Sequence, residues 1–209
     1  MTFSLISLAA VAKVSPDEAA KLKSTLTPLG GEKAANADGS IPAWNGGLTK
    51  APAGWGGAGK RYVDPYPDDK PKFTITKDNL AQYKDKMTPG QLALFAKYAT
   101  YKMPVYETRR SGASPDFVYE ATLKNATTAE LISGGDGIAG ATTGIPFPIP
   151  KNGAEVIWNH KLRYRSPGIR RWNNQFALTT QGSYNLVKIQ EDAYFSYSQK
   201  GITPEALNN

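Results

Sequence analysis

The 209-residue sequence contains no cysteine and only one histidine, and both scarcities exclude particular kinds of site. Without cysteine there is no disulfide, no thiol nucleophile, no zinc–thiolate site and no lipidated N-terminal cysteine. With His160 alone, the two-histidine zinc motifs are impossible and a serine triad would have to use that one imidazole. No G-x-S-x-G motif supplies the serine. We therefore expect a protein that is not an enzyme and that binds neither a metal nor a cofactor.

The sequence has no apolar run long enough to span a bilayer, and the apolar run at its start is too short as well. Residues 1–12 are apolar and end in Ala10-Val11-Ala12, the small-residue pattern of a signal-peptide cleavage site. The positive charge expected before such a run is missing, so we interpret 1–12 as the remnant of a signal peptide. Cleavage would leave Lys13 as the first residue of an exported protein. The alternative is a buried N-terminal strand or helix.

The composition predicts one domain with a long irregular portion. Apolar residues make up 40% of the chain and aromatic residues 11%, enough for a core. The 20 glycines and 15 prolines lie mostly between Gly30 and Pro150. We assign 13–209 to a single domain, in which 30–75 is an irregular arm whose aromatic rings are buried against a domain surface. The net charge of +7 includes a basic stretch after Lys151, which we interpret as a solvated face and not as a nucleic-acid site.

Residues 76–166 are predicted to be mainly helices and loops, because helix-start signals recur there. Each signal is a polar N-cap, several of them followed by Glu or Gln three positions on. Within this region the predicted helices are 78–86, one after Thr88, 115–125 after Ser114, and 152–165 after Asn152. A further helix, 16–23 after Ser15, is predicted before the irregular arm.

The last of these helices is apolar on two sides of its wheel. One stripe collects Val156, Ile157, His160 and Tyr164, and the far side carries Trp158 and Leu162. This pattern predicts a helix packed between two layers. We expect His160 there to be a neutral, hydrogen-bonded core residue, because burial disfavours the charged imidazole.

Between residues 168 and 200 the periodicity changes from helix to strand. We predict three antiparallel strands over 169–180, 184–189 and 193–198, with a turn at 181–183. So small a sheet cannot close into a barrel and leaves an edge open. We therefore expect pairing with another chain or with a second copy, unless the sequence is a fragment that lacks further strands.

Two glycine-rich segments match nucleotide-binding patterns but lack the required context. Residues 54–60 fit G-x-x-x-x-G-K, yet Arg61 stands where Ser or Thr should bind magnesium, and no strand precedes them. Residues 135–140 fit G-x-G-x-x-G but run into a proline-rich segment where a helix should begin. Carbohydrate binding is another alternative, because sugar rings can stack on Trp44, Trp55, Trp158 and Trp172.

Six segments resemble a Gram-negative family of unknown function, domain of unknown function 1329, usually described as outer-membrane lipoprotein-sorting-like. They are VSPDEAA at 14–20, NADGSIPAW at 36–44, DDKP at 68–71, MPVY at 103–106, IPFPIP at 145–150 and WNH at 158–160. The resemblance covers about Val14 to Ser198. It implies a signal peptide, a location in the periplasm or on the periplasmic face of the outer membrane, and a fold similar to the lipoprotein carriers LolA and LolB. Members of this family look longer and are thought to work beside RND-type exporters.

Taken together, these features predict an α+β protein in which helices and the irregular arm pack on an antiparallel sheet, a LolA/LolB-like half-barrel that looks truncated at its C-terminus. We expect a carrier or accessory protein for a lipid, a lipoprotein or another apolar ligand. The alternative is an assembly protein that pairs its sheet edge and arm with other chains, as a hetero- or homo-oligomer. The expected ligand-binding residues are Trp158, Leu162, Trp172, Phe176, Tyr184 and Leu186.

Overall fold

The computed structural model of the protein describes residues 13–207. The predicted signal-peptide remnant at 1–12 lies outside these residues. The described helices are α1 Pro16–Ala20, α2 Pro89–Lys97, α3 Asp116–Thr128, α4 Gly153–Leu162 and α5 Pro204–Leu207. The described strands are β1 Phe73–Ile75, β2 Met103–Val105, β3 Glu130–Ile132, β4 Gly137–Ala139, β5 Gly168–Leu178 and β6 Tyr184–Tyr194.

The described strands form three separate antiparallel pairs, β1–β2, β3–β4 and β5–β6, and no closed barrel. The mixed α+β class is therefore confirmed. The predicted third strand over 193–198 is wrong: Ala193 and Tyr194 still belong to β6, and Ser196–Ser198 is a single 3-10 turn. The reason is that β5 begins at Gly168, so the ladder ends at Tyr194 and residues beyond it have no strand to pair with.

Predicted helix starts are confirmed where a side chain caps the backbone. Ser15 Oγ accepts from the Glu18 amide at 3.2 Å, and the Asn152 side chain accepts from the Glu155 amide at 3.0 Å. The predicted 78–86 helix is wrong, because only two 3-10 turns form, at Leu80–Gln82 and Lys84–Lys86. The Asn79 side chain bonds to backbone groups of residues 74 and 76, a local alternative to helix capping.

The chain divides into two compact units. One comprises 34–113, and the other comprises the described residues 13–33 and 114–207. In the first unit, 34–72 has neither helix nor strand. Its small core includes buried Ile75 and Phe95. The Tyr101 ring packs edge-on against the Phe95 ring, and the two ring centres lie 4.7 Å apart. The arm does not bury all of its rings, because Tyr62 is 91% exposed.

The second unit has two small apolar clusters. One joins α1 to α3 through Val14, Ala19, Leu22 and Ala126. The other packs Trp158 and Leu162 of α4 against Ala129, Ile138, Ala141 and Phe147.

The IPFPIP segment is part of this interior. Fully buried Asn125 of α3 donates to the carbonyls of residues 142, 143 and 145 at 3.2 to 3.3 Å. Asn159 of α4 donates to the Phe147 carbonyl at 2.7 Å and accepts from the Phe147 amide at 2.8 Å. Side-chain amides thus satisfy a buried, irregular backbone that has no strand or helix partner.

Candidate functional site

The β5–β6 hairpin is defined by its turn. The Thr179 amide donates to the Ser183 carbonyl at 2.9 Å, and the Gly182 amide donates to the Thr179 carbonyl at 3.1 Å. Gly182 has φ +82°, which only glycine adopts without strain. A three-residue loop of this kind, closed by a glycine, sets the register of the strands that follow. The predicted turn at 181–183 is confirmed, and eleven residue pairs follow from Leu178–Tyr184 to Gly168–Tyr194.

This register places the even-numbered side chains of both strands on one face, since residues that pair directly point to the same side. Six of them are large and apolar, and they are between 42% and 78% exposed. We call this set the apolar hairpin face: Trp172, Phe176, Leu178, Tyr184, Leu186 and Tyr194. Within it, the rings of Phe176 and Tyr184 lie 5.7 Å apart.

The opposite face of the hairpin differs along its length. Near the base, Ile169, Ile189 and Ala193 are half-buried. Toward the turn, Val187 is 53% exposed. The apolar hairpin face, by contrast, is exposed from one end to the other. It is the more exposed of the two faces and therefore the candidate site.

Ion pairs across the strands fix the base of the hairpin. Arg170 binds Asp192 through two hydrogen bonds, Nε to Oδ1 at 2.7 Å and Nη2 to Oδ2 at 2.9 Å. These bonds lower the pKa of Asp192 and raise that of Arg170. On the other face, Arg171 pairs with Glu191. Both pairs are exposed, so they act mainly on strand register and contribute little to stability. They also give two arginines of the basic stretch, Arg170 and Arg171, acidic partners.

Four of the six predicted ligand residues, Trp172, Phe176, Tyr184 and Leu186, come together on the apolar hairpin face. The other two, Trp158 and Leu162, do not join them. They are on α4 and pack against the interior, and Trp158 Nε1 donates to the Gly135 carbonyl at 2.9 Å. Leu178 and Tyr194 were not among the predicted ligand residues. Strict alternation from Trp172 along β5 includes Leu178, whereas Tyr194 joins the face only because β6 runs unbroken from Tyr184 to Tyr194.

The prediction of a buried His160 is wrong. His160 is exposed, and so are Val156 (51%) and Ile157 (59%) of the same stripe. α4 therefore buries only its other side, the side of Trp158, because that side packs against the cluster that contains Ile138 and Phe147. The exposed imidazole lies 3.5 Å from the Arg163 guanidinium.

Other candidate chemistries have little support in the described residues. From Lys13 to Leu207, no group of three or more Asp, Glu or His side chains is placed to hold a metal ion. Over the same residues, no helix combines the length and apolar character needed to cross a membrane. Residues 54–60 follow no strand, and 135–140 are followed by no helix, which is the context expected from the sequence.

Comparison with known proteins places the chain in a family without assigning an activity. Residues 74–209 match the family described as "Protein of unknown function (DUF1329)". The chain is 50% identical over 210 residues to "Uncharacterized protein PA3922" of Pseudomonas aeruginosa. That alignment covers 100% of this chain but 46% of the relative, so the chain spans about half of that relative's length. No solved structure matches.

Proposed function

The chain belongs to the DUF1329 family of proteins of unknown function, and from that premise we propose that it is a non-enzymatic carrier or accessory protein for an apolar ligand. The ligand, a lipid or the acyl chain of a lipoprotein, would lie on the apolar hairpin face. In this proposal the hairpin is part of a larger curved sheet similar to the LolA and LolB half-barrels. The protein would act in the periplasm or at the outer membrane, beside an exporter.

The observation that carries the proposal is the exposure of six large apolar side chains on one face. Leaving them in water costs free energy, because each buried methylene gains about 0.8 kcal/mol. Contiguous exposed apolar patches of several hundred Å² mark interaction sites on folded proteins. The four residues nearest the turn are contiguous, since Phe176 pairs with Leu186 and Leu178 with Tyr184. The Asn174–Lys188 pair separates them from Trp172, and the Arg170–Asp192 pair separates Trp172 from Tyr194.

The size of the face favours a slender ligand over a protein surface. Strands of eleven residues at about 3.4 Å each, about 4.8 Å apart, present a face of roughly 37 by 10 Å. That is about 370 Å², below the roughly 800 Å² per partner of a stable protein interface. A single extended acyl chain is narrower than this face and can lie along it over the apolar side chains. Covering ten methylenes would contribute on the order of 8 kcal/mol before the cost of ordering the chain.

The proposal is tested with two matched substitutions on β6. Leu186→Ser removes an apolar side chain from the apolar hairpin face, and Val187→Ser removes an exposed one from the opposite face. We expect Leu186→Ser to weaken binding of a fluorescent fatty acid about tenfold and Val187→Ser to leave it unchanged. Equal effects of the two variants, or no saturable binding by the unmodified protein, would rule out this site.

A second candidate function, assembly through strand pairing, is favoured by the open edges of the hairpin. Within the described residues, β5 and β6 pair only with each other, so alternate residues of each strand leave a row of outward amides and carbonyls. Such an edge accepts a strand of another chain or of a second copy, and a two-stranded hairpin alone is only marginally stable.

The edge hypothesis is tested by removing one outward amide. Ladder bonds at both ends of the hairpin involve odd-numbered residues, the Thr179 and Phe195 amides, so the even-numbered Asn174 amide points outward. Asn174→Pro should therefore block pairing at the β5 edge, while Asn174→Ala should not. Light scattering after size-exclusion chromatography reads the outcome. If the unmodified protein is a monomer whose β5 and β6 amides all exchange slowly, the edges are already covered and the hypothesis fails.

A further inference from the structure

The unit formed by 34–113 contains a cavity that the proposed function does not use. Its volume is about 370 Å³, at the lower end of the range for small-molecule sites. Two stretches of irregular backbone line it, 42–48 and 107–111, and Tyr66 closes one side.

The walls of this cavity are tied together by backbone contacts. The Leu48 amide donates to the Ser111 carbonyl at 2.9 Å, and Trp44 Nε1 donates to the Gly112 carbonyl at 3.1 Å. Gly47, with φ +72°, lies so close that an added Cβ would be 2.4 Å from the Gly112 oxygen. The two stretches are therefore held in position before any ligand arrives, which lowers the entropy cost of binding.

Arg109 is a firmly held polar side chain on the cavity wall. Its Nε donates to Asp69 Oδ2 at 3.1 Å, its Nη2 donates to the other carboxylate oxygen, and its guanidinium lies 4.8 Å from the centre of the Tyr66 ring. This arrangement leaves the Nη1 amino group, with two N–H donors, for a ligand. Asp69 and Tyr66 thus fix the position of the Arg109 guanidinium in the cavity wall.

The charges around the cavity cancel. The lining carries Arg109, Arg110 and Glu107, and Asp69 behind the lining pairs with Arg109, so two positive charges meet two negative ones. Glu107 lies 3.7 Å from Arg109. An anion would meet the Glu107 carboxylate and compete with Asp69 for the guanidinium. An apolar ligand would leave the polar lining without partners, which is costly. The cavity therefore favours a polar ligand without net charge.

We propose that this cavity binds an uncharged polyhydroxylated ligand, of the size of one or two sugar rings. A sugar hydroxyl both donates and accepts, and the lining offers both partners: donors on Arg109, an acceptor on Glu107, and groups that do either on Asn45, Thr108 and Ser111. The site is independent of the apolar hairpin face, which belongs to the other unit.

Titration of the intact chain with glucose, N-acetylglucosamine, maltose and inorganic phosphate, followed by ligand-observed NMR, tests this assignment. At least one sugar should bind saturably with a Kd on the order of 1 mM, and phosphate should not compete. Thr108→Val removes one exposed hydroxyl from the cavity and should weaken sugar binding about three- to tenfold. Thr180→Val, the same change at the exposed hairpin turn, is the matched control and should have no effect.

Three outcomes would overturn the proposal. They are the absence of saturable binding by all three sugars, tighter binding of phosphate than of any sugar, and equal weakening by the two threonine variants. Each is separable from the fatty-acid assay, because the Leu186 and Val187 variants alter a different unit.

Discussion

Substitution of Asn125 by aspartate is the sharpest test of how the IPFPIP segment is held. The two N–H protons of the fully buried Asn125 side chain are shared among three carbonyls, those of Thr142, Thr143 and Ile145. Its oxygen accepts from the Thr142 amide at 2.9 Å. Asn125→Asp keeps the shape and the acceptor but removes both donors. The carbonyls would then face a carboxylate oxygen instead of an amide.

The expected cost follows from this count. Each buried carbonyl left without a donor costs about 1–3 kcal/mol, so losing two donors costs about 4 kcal/mol, with repulsion from a buried charge in addition. Such a loss is a large part of the roughly 5–15 kcal/mol that stabilises a domain.

The cost should also depend on pH. Burial raises the pKa of a carboxyl, so an aspartate here should titrate in the folded protein above its unfolded value of about 3.9. Below that unfolded value the group is neutral in both states, and its O–H restores one donor. As the pH rises toward the folded pKa, the unfolded state loses its proton first, and the variant loses stability until the folded pKa is passed.

Urea unfolding at pH 4 and pH 7, followed by circular dichroism, measures both effects. With an m value of about 2 kcal/mol/M, a loss of 4 kcal/mol lowers the unfolding midpoint at pH 7 by about 2 M, and the shift should be smaller at pH 4. The control is Asn174→Asp on exposed β5, which should change stability by less than about 0.5 kcal/mol. An Asn125→Asp midpoint equal to that of the control, or a shift independent of pH, would refute the reasoning.

Three further outcomes are expected. Gly30→Ala should lower the free energy of unfolding by about 3 kcal/mol or more, because φ is +91° and the new Cβ would lie 1.7 Å from the Pro148 carbonyl oxygen of IPFPIP. In the control Gly201→Ala, φ is +80° but the new Cβ would meet no atom, so thermal unfolding should show a loss of only about 1 kcal/mol. Lys151→Gln should raise the pKa of Glu18 toward its ordinary value in carboxyl NMR titrations, since a hydrogen bond from Lys151 now lowers it; an unchanged pKa would contradict the pairing. His160→Asn should leave the melting temperature and fatty-acid binding unchanged, because the ring is exposed, and a loss of either would restore a role for it.

Local sequence signals were sufficient where neighbouring residues complete the interaction. Ser15 with Glu18 and Asn152 with Glu155 lie three positions apart, so the capping bonds that start α1 and α4 need no tertiary partner. Gly182 determined the hairpin turn for the same reason. The turn and the two-residue alternation together placed four of the ligand residues on one face.

Tertiary structure decided which surfaces are buried, because burial depends on what an element packs against. The sequence makes both sides of α4 apolar, but only the Trp158 side meets a core cluster, and the Val156 side remains exposed. The third predicted strand failed because a strand needs a partner of matching length, and β5 ends the ladder at Gly168. No local spacing encodes the contacts between residues that are distant in the sequence. Asn125 lies 17 to 20 positions from its carbonyl partners, and Arg109 lies 40 positions from Asp69. Only the folded chain brings these groups within hydrogen-bond distance.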